Sequence, residues 1–337
     1  MKRLEEERVM LAHGGGGMMM RELVEFLLDR IGGQPGPLQD SALIETGPGR
    51  IAFTTDSFVV HPLFFPGGDI GSLAVCGTVN DLAVCGAVPE FVSLSLIIEE
   101  GFPVADLDRI ARSVSSAAGR AGVRIVTGDT KVVDRGKADG IFINTTGIGT
   151  VPDGVSLSSD SASRGDAVIV SGPIGDHGLA ILSLREGIEF GSDLASDAAP
   201  LSLLTVPLLK RFPGIKAMRD ATRGGLAAVL NEIAEDSGTG IRIEEDAIPV
   251  RDSVRRGCDL MGYDPLLMAN EGKLVAIVAA EEAGDVLDAM RENELGAEAA
   301  VIGRVEASPP GRVWLRTSLG GERVVDLPYG DLLPRIC

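Results

Sequence analysis

Apolar residues recur along this chain at two spacings, and the switches between them mark out its elements. From Met18 to about Ile31, Leu23, Phe26 and Leu27 share one face at helical spacing. Arg50–Thr55 is a short apolar run stopping on Asp56 and predicts a strand. Phe65-Pro66-Gly67-Gly68-Asp69 is a turn leading into a helix from Ile70 to Cys85, whose Gly71, Ala74, Gly77 and Ala83 permit close backbone packing. A strand is expected at Phe91–Ile98, and a helix at Val104–Ala121 from Leu107, Ile110, Val114 and Ala118. An apolar strand beginning at Val123 runs into an acidic turn, Thr127-Gly128-Asp129-Thr130-Lys131, and a further strand follows at Ile141–Gly149.

Pro152 to Arg164 is rich in Ser, Asp and Gly and reads as an interdomain linker. The alternation then repeats. Strands are expected at Asp166–Ser171, Gly240–Glu244, Lys273–Val278, Ala300–Val305 and Arg312–Arg316, the last carrying the single tryptophan, Trp314. Helices are expected at Gly175–Glu186, Leu201–Arg211, Gly225–Asp236 and Val250–Met261. The order predicts an α+β half with helices on one face of its sheet, then an α/β half, with a cleft between them. Two domains also suit a chain of 337 residues. The expected division is an extension at 1–12, a first domain at 13–155, a second at 156–326 and a tail at 327–337.

Aromatic residues are only 4%, so the cores must rest on Val, Leu, Ile and Ala. With 31 basic against 49 acidic residues the net charge is −18, which argues against nucleic acid or an anionic membrane as partner. A bound phosphate would have to be held by local devices such as backbone amides, a metal or single lysines. There is no apolar signal core and no run of about eighteen apolar residues, so a soluble cytoplasmic protein with reduced thiols is expected. The four cysteines, Cys76, Cys85, Cys258 and Cys337, have no zinc-site spacing, and the first three lie on apolar helix faces as core residues do.

Candidate chemistry lies in a few stretches. His13-Gly14-Gly15-Gly16-Gly17 can turn successive amides toward one phosphate, or act as a plain hinge; no Walker lysine follows. Three acidic segments, around Asp56, Asp81 and Asp220, offer the oxygen ligands that Mg2+ takes, though Asp is also a common turn residue. Asp81 is the hardest to assign to a turn, because it sits in a small-residue helix. Lys131 is either a phosphate partner or a solvated surface residue. Glu271, in Asn270-Glu271-Gly272-Lys273, is a candidate base if a cleft edge buries it, and a turn carboxylate otherwise. In Asp326–Cys337, Pro328, Gly330 and Pro334 discourage helix. Extended at about 3.3 Å per residue, this arm would carry the final thiol roughly 35 Å from the body.

Taken jointly, His13–Gly17, Asp56-Ser57, Phe64-Phe65-Pro66-Gly67-Gly68, Asn80-Asp81, Thr127–Val133, Asp220-Ala221-Thr222-Arg223-Gly224-Gly225, Ala269–Lys273 and the ending Pro334-Arg335-Ile336-Cys337 resemble the motifs of the HypE family of hydrogenase maturation factors. The similarity runs from about Leu11 to the last residue, and the Pro-Arg-Ile-Cys ending is its most specific part. The wider superfamily holds aminoimidazole ribonucleotide synthetase, selenophosphate synthetase and thiamine-monophosphate kinase. The resemblance implies that superfamily's two-domain fold, an N-terminal domain pairing into a β-barrel in a homodimer, and a mobile tail. It implies an ATP- and Mg2+-dependent carbamoyl dehydratase. The thiol of Cys337 is carbamoylated by the HypF carbamoyltransferase, its thiocarboxamide oxygen is phosphorylated, and phosphate leaves to give an S-cyanide. The cyanide then passes to iron on the HypC–HypD scaffold of [NiFe]-hydrogenase.

By motif, Asp56, Asp81 and Asp220 would hold Mg2+. Gly14, Gly15, Gly16 and Gly17 would cover the phosphates, with Asp129, Thr130 and Lys131 beside them and Asp69 at a nucleotide position. Glu271 would be the base, with His13 a weaker candidate. Departures are the extension of about ten residues and Cys85. The rival readings are a selenophosphate synthetase or small-molecule kinase, and a passive thiol carrier. The former is disfavoured because no cysteine precedes Cys76 near the Gly-rich loop.

Overall fold

The computed structural model describes residues 8–15, 17–31, 39–47, 49–190, 194–327 and 335–337. Its first half carries α1 (Met18–Ile31), β1 (Ala42–Glu45), β2 (Arg50–Phe58), the short β3 (Phe64–Phe65) and β4 (Gly68–Asp69), α2 (Ile70–Val84), β5 (Val88–Glu99), α3 (Val104–Ala121), β6 (Arg124–Val133) and β7 (Ile141–Val151). The sheet order is β1-β2-β7-β5-β6, antiparallel except for β5 with β6. The second half carries β8 (Ala167–Val170), α4 (Asp176–Glu186), α5 (Ser202–Arg211), β9 (Ile215–Asp220), α6 (Gly225–Ser237), β10 (Gly240–Glu244), α7 (Asp252–Met261), β11 (Leu274–Val278), α8 (Ala283–Arg291), β12 (Ala300–Glu306), β13 (Arg312–Arg316) and β14 (Glu322–Val324). These strands form a mixed sheet in the order β14-β13-β10-β12-β8-β11-β9.

The periodic segments lie where their spacing places them, but two expected turns do not exist. Asp56 lies within β2, and Thr127–Lys131 lie within β6. Polar Thr and Asp residues suggested turns there; ladder pairing to β7 and β5 holds the backbone extended instead. The strand β9 leading to Asp220, together with β1, α8 and β14, extends the expected list, so β13 is not the last strand before the tail.

Helix α2 joins the two halves. It packs on β2 and β7 of the first sheet and contacts α5 and β9 of the second half. Small residues make this possible: a Cβ on Gly147 of β7 would come within 2.6 Å of Thr78 on α2. Asn80, buried within the helix, donates to the carbonyls of Ala199 (3.1 Å) and Glu271 (3.0 Å) and accepts from Leu201 N (2.7 Å). Its place among apolar neighbours is thus explained by cross-domain bonding. Cys76, Cys85 and Cys258 are buried, as their helix faces suggest.

The far edge of the first sheet is different. Nearly every residue of β6 is exposed, and Ile97 of β5 with Ile125, Val126 and Val132 of β6 leave apolar side chains open at this edge of the sheet. Among the described residues no helix is long and apolar enough to cross a membrane.

Candidate functional site

Four segments distant in sequence converge where α2 meets both sheets. Asp56 comes from β2, Asp81 from α2, Asp220 from the end of β9, and Asp40 from the residues preceding β1. All four line one cavity of about 220 Å³ with Arg223, Glu271 and Cys337. Carboxylate oxygens of Asp40, Asp81 and Asp220 lie within 4.8 Å of one another. Thr54 Oγ1 donates to Asp81 Oδ2 at 2.7 Å, and Arg219 Nε pairs with Asp40 Oδ2 at 2.7 Å. Burial raises Asp81, and the charges of Asp220, Asp40 and Asp56 raise it further. Asp220 is raised by burial first and by Asp40 next. Such a cluster of oxygens, costly to hold ionised alone, is suited to a hard divalent cation.

Local folding sets the other groups. Antiparallel pairing of β9 with β11 puts Asp220 opposite Leu274, so the turn carrying Glu271 arrives beside the acids. Asn270 fixes that turn: its Nδ2 donates to Ala221 O at 2.7 Å and its Oδ1 accepts from Gly175 N at 2.7 Å. Asp197 accepts from the backbone of Glu271 (3.0 Å) and Gly272 (3.3 Å). Glu271 is 2% exposed, and its Oε1 is buried with no hydrogen-bond partner among the described residues. Burial, then Asp220, Asp197 and Asp56, push its carboxyl well above the usual range. Arg223 sits in the loop before α6, where Gly224 (φ +77°) and Gly225 (φ +61°) adopt left-handed backbone; a Cβ on Gly225 would approach Met268 O to 2.5 Å.

The thiol of Cys337 is docked. Burial raises it; Arg223 lowers it, while Glu271, Asp56 and Asp220 add to the rise. Burial at the docked position thus favours the thiol over the thiolate.

The expected residues divide as follows. Asp56, Asp81, Asp220, Glu271 and Cys337 come together. His13 is buried nearby in a short 3-10 turn, with Nδ1 bonded to Met10 N at 3.0 Å, and Gly14 O accepts from Arg223 at 3.4 Å. Gly17 lines a second cavity of about 410 Å³ between α1 and α6, which shares Asp40, Asp220 and Arg223 with the first. Gly15 lies in the turn after His13, and Gly16 lies outside the described residues. Asp69 does not line either cavity; it caps α2, accepting from Gly71 N (2.8 Å) and Ser72 N (3.0 Å). Asp129, Thr130 and Lys131 are exposed on β6, where Lys131 pairs with Asp129 at 2.7 Å, away from the cavities of their own chain. Sequence reasoning missed Asp40 and Arg219, whose partners are remote in the chain. It quoted Arg223 in a motif without giving it a role.

Two domains of mixed helix and sheet, with an acidic cavity where they meet, define a member of the AIR synthase related class. That class's N-terminal domain family matches residues 38–151 and its C-terminal domain family residues 163–316. The chain is 52% identical over 336 residues to the carbamoyl dehydratase HypE of Azotobacter vinelandii, covering 99% of this chain and 98% of that one. A solved structure of a HypE–HypF complex superposes with a TM-score of 0.87 at 48% identity, covering 91% of this chain and 99% of the other. One of HypE in complex with ATP gives 0.83 at 46%, covering 98% and 100%. The chain belongs to the HypE carbamoyl dehydratase family.

Proposed function

We propose that this protein dehydrates an S-carbamoyl group on its own Cys337 to S-cyanide at the expense of ATP, supplying the cyanide ligand in [NiFe]-hydrogenase maturation. The observation that carries this reading is the shared cavity, in which Cys337 faces Arg223, the acids and the unpartnered Glu271. Similarity at 52% identity to a named carbamoyl dehydratase and at 46% to an ATP-bound HypE supports it.

The net chemistry requires that the amide oxygen leave on phosphate derived from ATP. The C–O bond breaks as nitrogen closes to a triple bond and gives up both protons. Glu271, with its raised pKa and open Oε1, is the proposed acceptor for a nitrogen proton. Arg223 would offset negative charge developing beside Cys337. The cavity between α1 and α6, walled partly by Met20, Val24, Leu28 and Val229, suits a base and ribose, with the phosphates directed toward the Gly-rich turn and the acids. Asp40, Asp81 and Asp220, with Asp56 on the same wall, would hold Mg2+, whose charge would neutralise both the acids and the phosphates. His13 is left as a residue supporting the turn.

The same reading assigns ATP binding and dimerisation to residues 13–155 and a covering domain to 156–326, in the cytoplasm. It proposes a homodimer formed through the exposed edge at β6, where Ile97, Ile125, Val126 and Val132 are open. Lys131, with Asp129 and Thr130, would then act beside the phosphates of the opposite protomer. Because Cys337 is docked in the cavity, loading by a HypF-type carbamoyltransferase would require its thiol to leave that site; the tail expected at 327–337 lies mostly outside the described residues. Delivery to a HypC–HypD type iron scaffold would follow.

The test is mass spectrometry of S-carbamoylated protein after incubation with MgATP. The expected result is loss of one water from the tail peptide with release of phosphate, and no cyanide from Cys337→Ala, which still folds and binds ATP. An unchanged mass would make Cys337 a passive carrier and end the reading.

A further inference from the structure

The last described residues are held by a clasp on the protein body. Val59 N donates to Cys337 O at 3.1 Å, and His61 N donates to Arg335 O at 3.2 Å. Arg335, in left-handed backbone at φ +56°, donates its Nε to Val59 O at 3.0 Å and pairs with Asp139. Arg185 donates to His61 O at 2.6 Å and also to Arg335 O. Ile336 is 3% exposed and packs into the core of the first half.

Behind these surface contacts lies His177, the second residue of α4 and fully buried. Its Nε2 is 2.7 Å from Ile336 O and its Nδ1 is 2.8 Å from Ser196 Oγ. A carbonyl only accepts, so Nε2 carries the hydrogen and Nδ1 must accept from the Ser196 hydroxyl. Ser196 Oγ in turn accepts from Ala198 N at 3.2 Å, and Ser196 N donates to Pro66 O at 2.8 Å. Phe65 sets its ring at 88° to the imidazole, 5.5 Å away between centroids. Only one tautomer satisfies every partner, and burial, which pushes the imidazole's pKa down, keeps it neutral. The next residue of the same loop, Asp197, holds the backbone of Glu271. One loop therefore sets both the thiol-bearing segment and the candidate base.

We propose that His177 is a positioning residue for Cys337: through the Ile336 carbonyl, and in register with Glu271 through the Ser196–Asp197 loop, it seats the thiol in the cavity without touching it. The proposal rests on the reading of Cys337 as the reacting thiol, and it deepens that reading.

The experiment is the rate at which a maleimide labels Cys337 in the full-length protein, read by mass on the tail peptide; Cys76, Cys85 and Cys258 are buried and contribute little background. His177→Ala and His177→Asn, which lose the donor at Nε2, are expected to label about tenfold faster than wild type, the opening that loss of a buried hydrogen bond brings. His177→Gln places an N–H near the Nε2 position and is expected to restore a near wild-type rate. In carbamoylated protein the first two variants are expected to lose water about tenfold more slowly at saturating MgATP, with an unchanged KM for ATP. Wild-type labelling rates in all three variants, or a Gln variant as fast as the Ala variant, would overturn the proposal. Should His177→Ala fail to fold, Ser196→Ala removes the donor that selects the tautomer; it is expected to label severalfold faster, and an unchanged rate would overturn the proposal equally. Labelling does not depend on turnover. Failure of wild-type carbamoylated protein to lose water would therefore retire the dehydration reading separately from the clasp.

Discussion

Glu271 and Asp176 are both buried acids with raised pKa values, yet they serve different ends. Glu271 faces the cavity with one oxygen unpartnered, and Glu271→Gln keeps its volume while removing its basicity. The expected outcome is normal carbamoylation of Cys337 and a dehydration step slower by about 10²–10⁴, measured by single-turnover mass analysis; normal turnover would remove Glu271 as base. Asp176 begins α4, paired with Arg251 at 3.1 Å, and burial pushes it up to about 6. Its folded pKa exceeds the ordinary 3.8, so between about pH 4 and about pH 6 the folded chain binds a proton that the unfolded chain has released. Stability at this site therefore falls as pH rises through that window and is flat above it. Denaturant melts are expected to show Asp176→Asn losing this slope, by at most about 3 kcal/mol and less where Arg251 meets solvent. An identical pH slope in the variant would show the shift to be absent. Glu271 was legible as a candidate because its turn follows an apolar run. Asp40 was not, since only the folded backbone brings it to Asp81 and Asp220.

At the scale of elements, the resemblance that placed Asp69 at a nucleotide position meets a helix cap. Its Oδ1 accepts both first-turn amides of α2, and Ser72 Oγ completes the box by accepting from Asp69 N at 3.0 Å. Asp69→Ala is expected to cost about 1 kcal/mol, within a range of roughly 0.5–2, and Asp69→Ser to recover most of it, with ATP affinity by calorimetry unaltered in the Ser variant. Recovered stability with lost nucleotide binding would instead give Asp69 a ligand's role. Helix and strand positions were readable here because apolar spacing survives in each segment. The Thr127–Lys131 stretch misled because its Thr, Gly and Asp content is turn-like, while β5 supplies the ladder that keeps it straight.

At the scale of the molecule, Lys131 and Cys337 test the proposed homodimer together. Lys131 lies on the exposed edge β6, outside the cavities of its own chain. Neither Lys131→Ala nor Cys337→Ala homodimers are expected to make S-cyanide. A mixed dimer would pair the Cys337 of one protomer with the intact Lys131 of the other and regain up to about half of wild-type activity per dimer, one site of two. No recovery on mixing, with exchange verified by native mass spectrometry, would place Lys131 in its own protomer's site, and an active Lys131→Ala homodimer would place it outside the chemistry.

Composition, periodicity and motif spacing determined the two α/β halves, the acidic balance and the identities of Asp56, Asp81, Asp220, Glu271 and Cys337 as candidates. Those properties are carried by neighbours in the chain: side-chain spacing selects helix or strand, and a motif keeps its residues together. Tertiary structure alone decided which acids share a cavity, that Asn80 ties α2 to the second half, and that His177 sits under Ile336. Each of those depends on a hydrogen bond or a close approach between segments far apart in sequence, and such a contact leaves no period in either segment to be read.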